Sequence, residues 1–253
     1  MGRAIAIANQ KGGVGKTTTA VNLGACLAEA GRKVLLVDID PQGNATSGVG
    51  IDKRRVRYST YAVLIGAKRA EEVVVPVGIR GMWAMPSTVD LAGAEIELVS
   101  MEGREFRLRG ALEGVKCGYD YVLIDCPPSL GLLTLNALVA ADSVMVPIQC
   151  EYYALEGLGQ LMNTIRLVQQ RLNGALELEG VLLTMFDGRT NLSIQVADEV
   201  KRHFRDKVYR TIIPRNVRLS EAPSHGKPIT MYDARSRGAE VYKELAREVM
   251  RCG

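Results

Sequence analysis

Asn9-Gln10-Lys11-Gly12-Gly13-Val14-Gly15-Lys16-Thr17-Thr18 stands between a short apolar run, Ala4–Ala8, and a segment of helical periodicity, Thr17–Ala30. A glycine-rich stretch that leaves a strand and opens a helix is the context a phosphate-binding loop needs. Its glycines, Gly12, Gly13 and Gly15, let the backbone turn with N–H groups pointing inward, and the helix N-terminus adds roughly half a positive charge facing the anion. A triphosphate fits such a cradle. Lys16 is placed to reach the β and γ phosphates, and the Thr17 hydroxyl to ligate Mg²⁺, which takes oxygen ligands octahedrally and retains several waters. The generic pattern fails at its first glycine, because Gln10 stands there, and a second lysine, Lys11, follows it. A loop lysine is ordinarily a solvated charge, yet beside a nucleotide it can also point across a symmetry axis at a partner's phosphates, as an arginine finger does.

Two carboxylate clusters complete the expected site. The apolar run Val34–Val37 ends in Asp38-Ile39-Asp40-Pro41-Gln42-Gly43-Asn44, and a period of two sends Asp38 and Asp40 to one side if the strand persists that far. The run Tyr121–Ile124 ends in Asp125-Cys126-Pro127-Pro128-Ser129, where an acid directly after four apolar residues is the Mg²⁺-side carboxylate of such a loop rather than a mere cap. Both clusters emerge at the carboxyl edge of the sheet, where open α/β folds bind ligands.

Around these motifs the chain alternates strand-length apolar runs (also Gly81–Met85, Val144–Ile148 and Val181–Leu183) with helical segments such as Leu155–Leu172. The expected fold is therefore α/β, a mostly parallel sheet flanked by helices. Hydrophobic content of 47% with 24% charged residues excludes a disordered or fibrous chain. With 253 residues and no linker or repeat, one domain over 1–253 is expected, without an N-terminal helix-turn-helix, since three residues precede the first strand. No run is long and apolar enough to span a bilayer, and no leader pattern is evident, so a cytoplasmic location is expected. The five cysteines, Cys26, Cys117, Cys126, Cys150 and Cys252, lack metal-ligand spacing and read mostly as core fillers.

Net charge is only +4, but Lys201–Arg218 carries seven basic residues against Asp206 alone, a local charge of +6. Such a run is either a solvated face or a surface for salt-sensitive, sequence-independent binding of DNA phosphates. Residues 50–80 are weakly patterned and locally basic at Lys53, Arg54, Arg55 and Arg57. In the last helical segment, Ala239–Met250, a stripe of Tyr242, Leu245, Ala246 and Val249 suggests docking on the body of the protein. Glu240–Lys243, Glu244–Arg247 and Glu248–Arg251 are its expected ion pairs.

Taken together, the phosphate loop, Asp38–Asn44, Asp125–Pro128, Cys150-Glu151-Tyr152-Tyr153-Ala154-Leu155-Glu156-Gly157, Leu183–Asp187 and Ile213–Pro223 resemble the ParA/Soj family of partitioning ATPases over nearly the whole chain. This family is part of the deviant phosphate-loop group that includes MinD. The resemblance implies an ATP- and ADP-binding, Mg²⁺-dependent switch in which two subunits sandwich two nucleotides. Each signature lysine, here Lys11, reaches the partner's nucleotide. The contacts implied are Lys11, Gly12, Gly13, Val14, Gly15, Lys16, Thr17 and Thr18 for the phosphates and Pro214 and Asn216 near adenine. Thr17, Asp38 and Asp125 serve Mg²⁺, and Asp40 positions the attacking water or acts as base.

The resemblance further implies that the ATP dimer binds double-stranded DNA nonspecifically on the nucleoid, with Arg189, Arg215 and Arg218 as candidate contacts. A ParB-type centromere-binding partner would stimulate hydrolysis, and a replication initiator is left open as a further partner. Two other classes compete: a MinD-like membrane switch, which needs a terminal amphipathic anchor, and a redox relative of the nitrogenase iron protein, which needs cysteines bridging a cluster between subunits. The terminal helix lacks the first signature, and a second cysteine suitably placed beside Cys126 is wanting.

Overall fold

The computed structural model describes residues 2–151 and 156–251 of the chain. Its strands are β1 (Arg3–Ile7), β2 (Val34–Asp38), β3 (Val75–Pro76), β4 (Met82–Met85), β5 (Tyr121–Asp125), β6 (Ser143–Gln149) and β7 (Glu177–Thr184). They form one seven-stranded sheet in the order β3-β4-β2-β5-β1-β6-β7. Every pairing is parallel except β3 with β4. All six apolar runs become strands. The unanticipated β3 is a two-residue edge strand ending in Pro76, where a missing N–H costs nothing.

The described helices are α1 (Lys16–Glu29), α2 (Asn44–Gly48), α3 (Thr60–Leu64), α4 (Ala70–Val73), α5 (Leu91–Glu97), α6 (Arg107–Glu113), α7 (Leu132–Ala140), α8 (Glu156–Arg171), α9 (Asn191–Phe204), α10 (Val217–Glu221), α11 (Ile229–Tyr232) and α12 (Arg237–Arg251). The weakly patterned stretch 50–80 thus holds α3, α4 and β3.

Strand alternation divides the core in two. Ala4 and Ala6 of β1 join a layer with Leu91 of α5, Leu108 of α6, Leu133 of α7, Leu161 of α8 and Val196 of α9. Ile5 and Ile7 face the opposite layer, with Leu23 and Leu27 of α1 and Tyr242, Leu245 and Val249 of α12. Helix α12 therefore does dock on the body, and its Tyr242 hydroxyl lies 3.2 Å from the Thr19 hydroxyl of α1. Its expected ion pairs do not form. Arg237 pairs with Glu240 and Glu244, and Lys243 with Glu29. Glu248 instead accepts hydrogen bonds from the backbone N–H groups of Arg210 and Thr211 and from the Thr211 hydroxyl, satisfying donors that end no ladder.

Helix α1 leaves β1 toward one face, while α7 leaves the adjacent β5 toward the other. The crevice at their carboxyl ends is where such sheets bind ligands. The opposite end of the sheet is closed around a buried carboxylate: Glu179 of β7, its side chain 1% exposed, accepts from the half-buried Arg3, from the Ser143 hydroxyl at 2.6 Å and from the Tyr209 hydroxyl at 3.2 Å. Removing the carboxylate strands the Arg3 guanidinium. We expect Glu179→Ala to cost about 3–5 kcal/mol of stability, read from the urea midpoint, with nucleotide affinity below that midpoint unchanged.

Candidate functional site

The phosphate loop owes its shape to left-handed backbone at Gly13 (φ 74°) and Gly15 (φ 89°), conformations that a side chain would strain. Two residues outside the expected contacts hold it in place. Asn9 accepts from the Lys11 N–H at 3.0 Å and donates to the Pro147 carbonyl at 2.7 Å. Thr184, at the end of β7, donates to the Val14 carbonyl at 2.8 Å. The signal for Asn9 is its place directly before the loop it braces; Thr184 is 170 positions from Val14 and carries no local signal.

Lys16 opens α1 and is buried, its ammonium donating to the Lys11 carbonyl at 3.0 Å. It thus folds back across the loop it would share with phosphate. Burial lowers its pKa, while Asp125, Cys126 and Asp40 pull the other way. Thr17 and Thr18 follow on the same turn and are half-buried. Lys11 is half-buried as well, and among the described residues its ammonium has no partner.

The acids converge as expected, through register. Asp38 and Asp125 are paired positions of β2 and β5, and Ile7 of β1 is paired with Asp125. Burial raises the Asp125 carboxyl well above the usual carboxylate range, and Asp38 adds to the rise. Both Asp125 oxygens are buried without a hydrogen-bond partner; the Thr17 hydroxyl lies near enough to oppose the shift without meeting hydrogen-bond geometry. Asp38, pushed up to about 6 by burial, is better satisfied. Its Oδ2 accepts from the Thr46 N–H at 2.7 Å and the Thr46 hydroxyl at 2.6 Å, and its Oδ1 from the Asp40 N–H at 3.2 Å.

The period-two argument for Asp40 does not hold, because β2 ends at Asp38 and pairing with β5 stops at the Ile39 N–H, 3.1 Å from the Asp125 carbonyl. A turn closed by the Gly43 N–H on the Asp40 carbonyl at 2.9 Å places Asp40 instead, and its Oδ1 accepts from the Gln42 N–H at 2.9 Å. Asp40 remains 6% exposed and close enough to Lys16 to act on its charge.

A bound divalent cation fits these residues on the chemistry of the donors. The Asp125 oxygens are orphaned in a buried site beside the Thr17 hydroxyl. No cluster of three or more His, Cys, Asp or Glu side chains suited to a metal occurs among the described residues. A cation held here must keep much of its water, as Mg²⁺ does.

Next to Gly15 and Thr18 a cavity of about 370 Å³ has a mixed lining, apolar at Met185, Pro214, Leu219 and Pro223 and polar at Asn216 and Ser220, of a size that takes a nucleotide base. Pro214 and Asn216 both line it. The Asn216 carbonyl oxygen caps α10, accepting from the N–H groups of Arg218 and Leu219, which leaves its NH₂ for a ligand. Met185 adopts a left-handed φ of 50° at the rim. The structure thus brings Gly15 and Thr18 of the loop and the candidate adenine contacts Pro214 and Asn216 to one cavity.

The basic run is different. The end of α9 lies beside the start of β7, where His203 and Phe204 line a cavity with Leu178; Val208 pairs with Val181 past the middle of that strand, and Pro214 with Phe186 beyond its end, so the chain climbs the length of β7. Lys201, Arg202, Arg205 and Lys207 therefore lie at the far end from Arg215 and Arg218, and the +6 run is not one patch. Arg189 joins the upper group, since the Phe186–Pro214 bridge ties its loop to that of Arg215. Each of the three arginines has an acidic partner: Asp187 for Arg189, Glu151 for Arg215, and Glu221 with Asp233 for Arg218. Cys26, Cys126 and Cys150 are buried, Cys117 is exposed and so no core filler, and Cys252 lies outside the described residues, as do Tyr152–Leu155 of the Cys150–Gly157 motif.

Residues 2–178 match the family model described as "AAA domain". The chain is 66% identical to the sporulation initiation inhibitor protein Soj of Bacillus subtilis over 98% of each chain. It is 58% identical to the chromosome partitioning protein ParA of Myxococcus xanthus over 99% of this chain and 89% of the other. Among solved structures, a Mycobacterium smegmatis protein titled cobyrinic acid a,c-diamide synthase, with bound ADP and magnesium, superposes with a TM-score of 0.88 at 43% identity, covering 99% of this chain and 95% of the other. The Pyrococcus furiosus cell division ATPase MinD superposes at 0.82 with 26% identity, covering 100% of both.

A buried carboxylate without partners is a stability cost held for function. We expect Asp125→Asn to raise the stability of the nucleotide-free protein by about 1–2 kcal/mol in urea denaturation. The same substitution should abolish the thermal stabilisation that Mg²⁺ adds to a bound nucleotide.

Proposed function

The chain belongs to the Soj/ParA family of chromosome-partitioning ATPases and is itself an ATPase; from that premise we propose that it is a DNA-partition switch. In this reading ATP closes two subunits into a dimer that holds DNA without sequence preference, and hydrolysis stimulated by a ParB-type partner releases it. The observation that carries the reading is the convergence of Lys16, Asp38, Asp40 and Asp125 on one glycine-rich loop whose second lysine, Lys11, is half-buried with no partner for its ammonium among the described residues.

The roles follow from position. The loop N–H groups and Lys16 bind the β and γ phosphates, and Lys16 exchanges the Lys11 carbonyl for phosphate oxygens when nucleotide enters. When bound, Mg²⁺ neutralises charge on the β and γ oxygens; Thr17 and Asp125 would hold it or its waters, with Asp38 adding negative charge from behind. Asp40 orients the attacking water. Lys11 of one subunit supplies to the other's phosphates the charge that a monomer lacks, so turnover should be slow and should rise with protein concentration. Pro214 and Asn216 hold the adenine end. Arg189, Arg215 and Arg218, grouped near the same edge of the sheet, are the candidate DNA contacts, and nucleoid association would follow from them.

The two competing classes lose support from the geometry. The apolar stripe of α12 is spent on α1, which leaves that helix no face for a membrane. The Cys126 thiol is fully buried and directed at the Ile124 carbonyl, unsuited to bridging a cluster between subunits.

DNA binding by the purified protein in ATP, ADP and no nucleotide, titrated with salt, tests the reading. We expect binding in ATP alone, falling steeply with salt. Lys11→Ala should remove it by preventing dimerisation, and Arg218→Glu should remove it with dimerisation intact. Absence of binding in every nucleotide state would overturn the DNA role. In a separate assay of phosphate release, Lys16→Ala should abolish turnover, and Asp40→Ala should leave an ATP dimer that persists on DNA; turnover of Asp40→Ala at the parent rate would remove Asp40 from the mechanism.

A further inference from the structure

Asp40 lies past the end of β2, so something other than the sheet ladder must fix it. Its carbonyl receives the Gly43 N–H, but that bond belongs to the turn itself and moves with it. The exposed Lys53 ammonium reaches the turn at the Gln42 carbonyl, 2.7 Å away, but the buried bond to Asp40 itself comes from Ser87, two residues beyond the end of β4. The Ser87 hydroxyl donates to the Asp40 carbonyl at 2.7 Å. Its N–H donates to the Thr46 hydroxyl at 2.8 Å, and that hydroxyl in turn donates to Asp38 Oδ2 at 2.6 Å. One residue therefore grips the segment from Asp38 to Thr46 at both ends. Ser87 and Thr46 are each 0% exposed, so water does not compete for these bonds.

The surroundings are built to keep Ser87 in place. Val37 of β2 is paired with Met85 of β4, which carries Ser87 level with Ile39. The Thr60 hydroxyl donates to the Asp38 carbonyl at 2.8 Å, and the Thr60 N–H to the Pro86 carbonyl at 2.8 Å, clamping the two strand ends together from a third side. At Gly43 a Cβ would fall 2.8 Å from the Ser87 carbonyl oxygen, so the turn lies directly against this residue. We infer that Ser87 is a positioning residue for hydrolysis: its hydroxyl sets the orientation of the Asp40 peptide, and through it the aim of the Asp40 carboxylate, without touching nucleotide. The inference rests on the assignment of Asp40 as the water-orienting group.

A merely structural serine would lower stability and leave chemistry alone; a positioning serine lowers kcat and acts only through Asp40. The experiment is single-turnover hydrolysis of γ-labelled ATP by the parent, Ser87→Ala, Asp40→Ala and the double variant, with ATP affinity and melting temperature measured alongside. Ser143→Ala, which removes a buried hydroxyl bond at the opposite end of the sheet, controls for lost stability. Misplacing a reacting group by a fraction of an ångström should cost Ser87→Ala about tenfold in rate, with ATP affinity within about twofold of the parent. Ser143→Ala should turn over at the parent rate. In the Asp40→Ala background, adding Ser87→Ala should change the residual rate by less than about twofold, the non-additivity of groups that act as a unit. A parent rate for Ser87→Ala, or an equal loss with Asp40 already removed, overturns the inference while leaving Asp40 in its role. A parent rate for Asp40→Ala overturns both.

Discussion

Everything at this site depends on a register: β2 and β5 pair so that Asp38 and Asp125 stand side by side at the carboxyl edge, one strand away from the loop that carries Lys16. Two neighbouring acids out of water repel, and burial alone drives both carboxyls upward. Lys16 relieves part of the strain, and its own charge is disfavoured by the same burial. The arrangement is thus short of positive charge at the point where a cation enters, and short of an anion at the Lys16 ammonium, which makes do with the Lys11 carbonyl. Both deficits are answered together by a magnesium-bound polyphosphate. The selectivity of the crevice is therefore a property of the pair of strands as much as of the glycine-rich loop.

How the two acids divide their labour also follows from that register. Asp38 is satisfied by Thr46, which makes it the anchor of α2 and of the turn before it. The Asp125 carboxylate oxygens are left without a hydrogen-bond partner, with only the Thr17 hydroxyl beside them. A residue already spent on the protein's own backbone cannot also be a strong ligand without giving up those bonds, so the exchange-ready acid is Asp125. The same logic separates Asp38 from Asp40, whose carboxylate is held only by the Gln42 N–H of its own turn.

Six strands of the sheet, helices α1, α8 and α12, and the crevice were legible because they rest on local signals: apolar runs of strand length, helical stripes, glycines that permit left-handed backbone, and acids placed directly after strands. What was not legible is held by contacts distant in sequence. Thr184 braces Val14, and Ser87 braces Asp40 from 47 positions away, and a buried hydroxyl looks like any other serine or threonine in a one-dimensional pattern. The alternation rule misplaced the cause of Asp40's position, because it presumed a strand that a turn had already ended. The α12 ion pairs failed for a related reason: spacing along a helix says which side chains are able to meet, but Glu248 found unsatisfied backbone donors on a neighbouring segment first.

Charge along the chain misled most. Seven basic residues in Lys201–Arg218 read as one face, yet they are spread from beside Leu178 near the start of β7 to the loop beyond its end. The upper group that remains, Arg189, Arg215 and Arg218, is not a set of bare cations, since each guanidinium lies within 4 Å of a carboxylate. These pairs are exposed, and pairs of that kind add little to stability. They hold the arginines in defined orientations at almost no expense to a competing phosphate, whose charge is reinforced by its neighbours along the polymer. A polyanion gains affinity by releasing the counterions condensed on it, a term that an isolated carboxylate lacks. The acids therefore orient these arginines more than they sequester them, and three weak pairs are compatible with a surface that grips DNA firmly and still lets go.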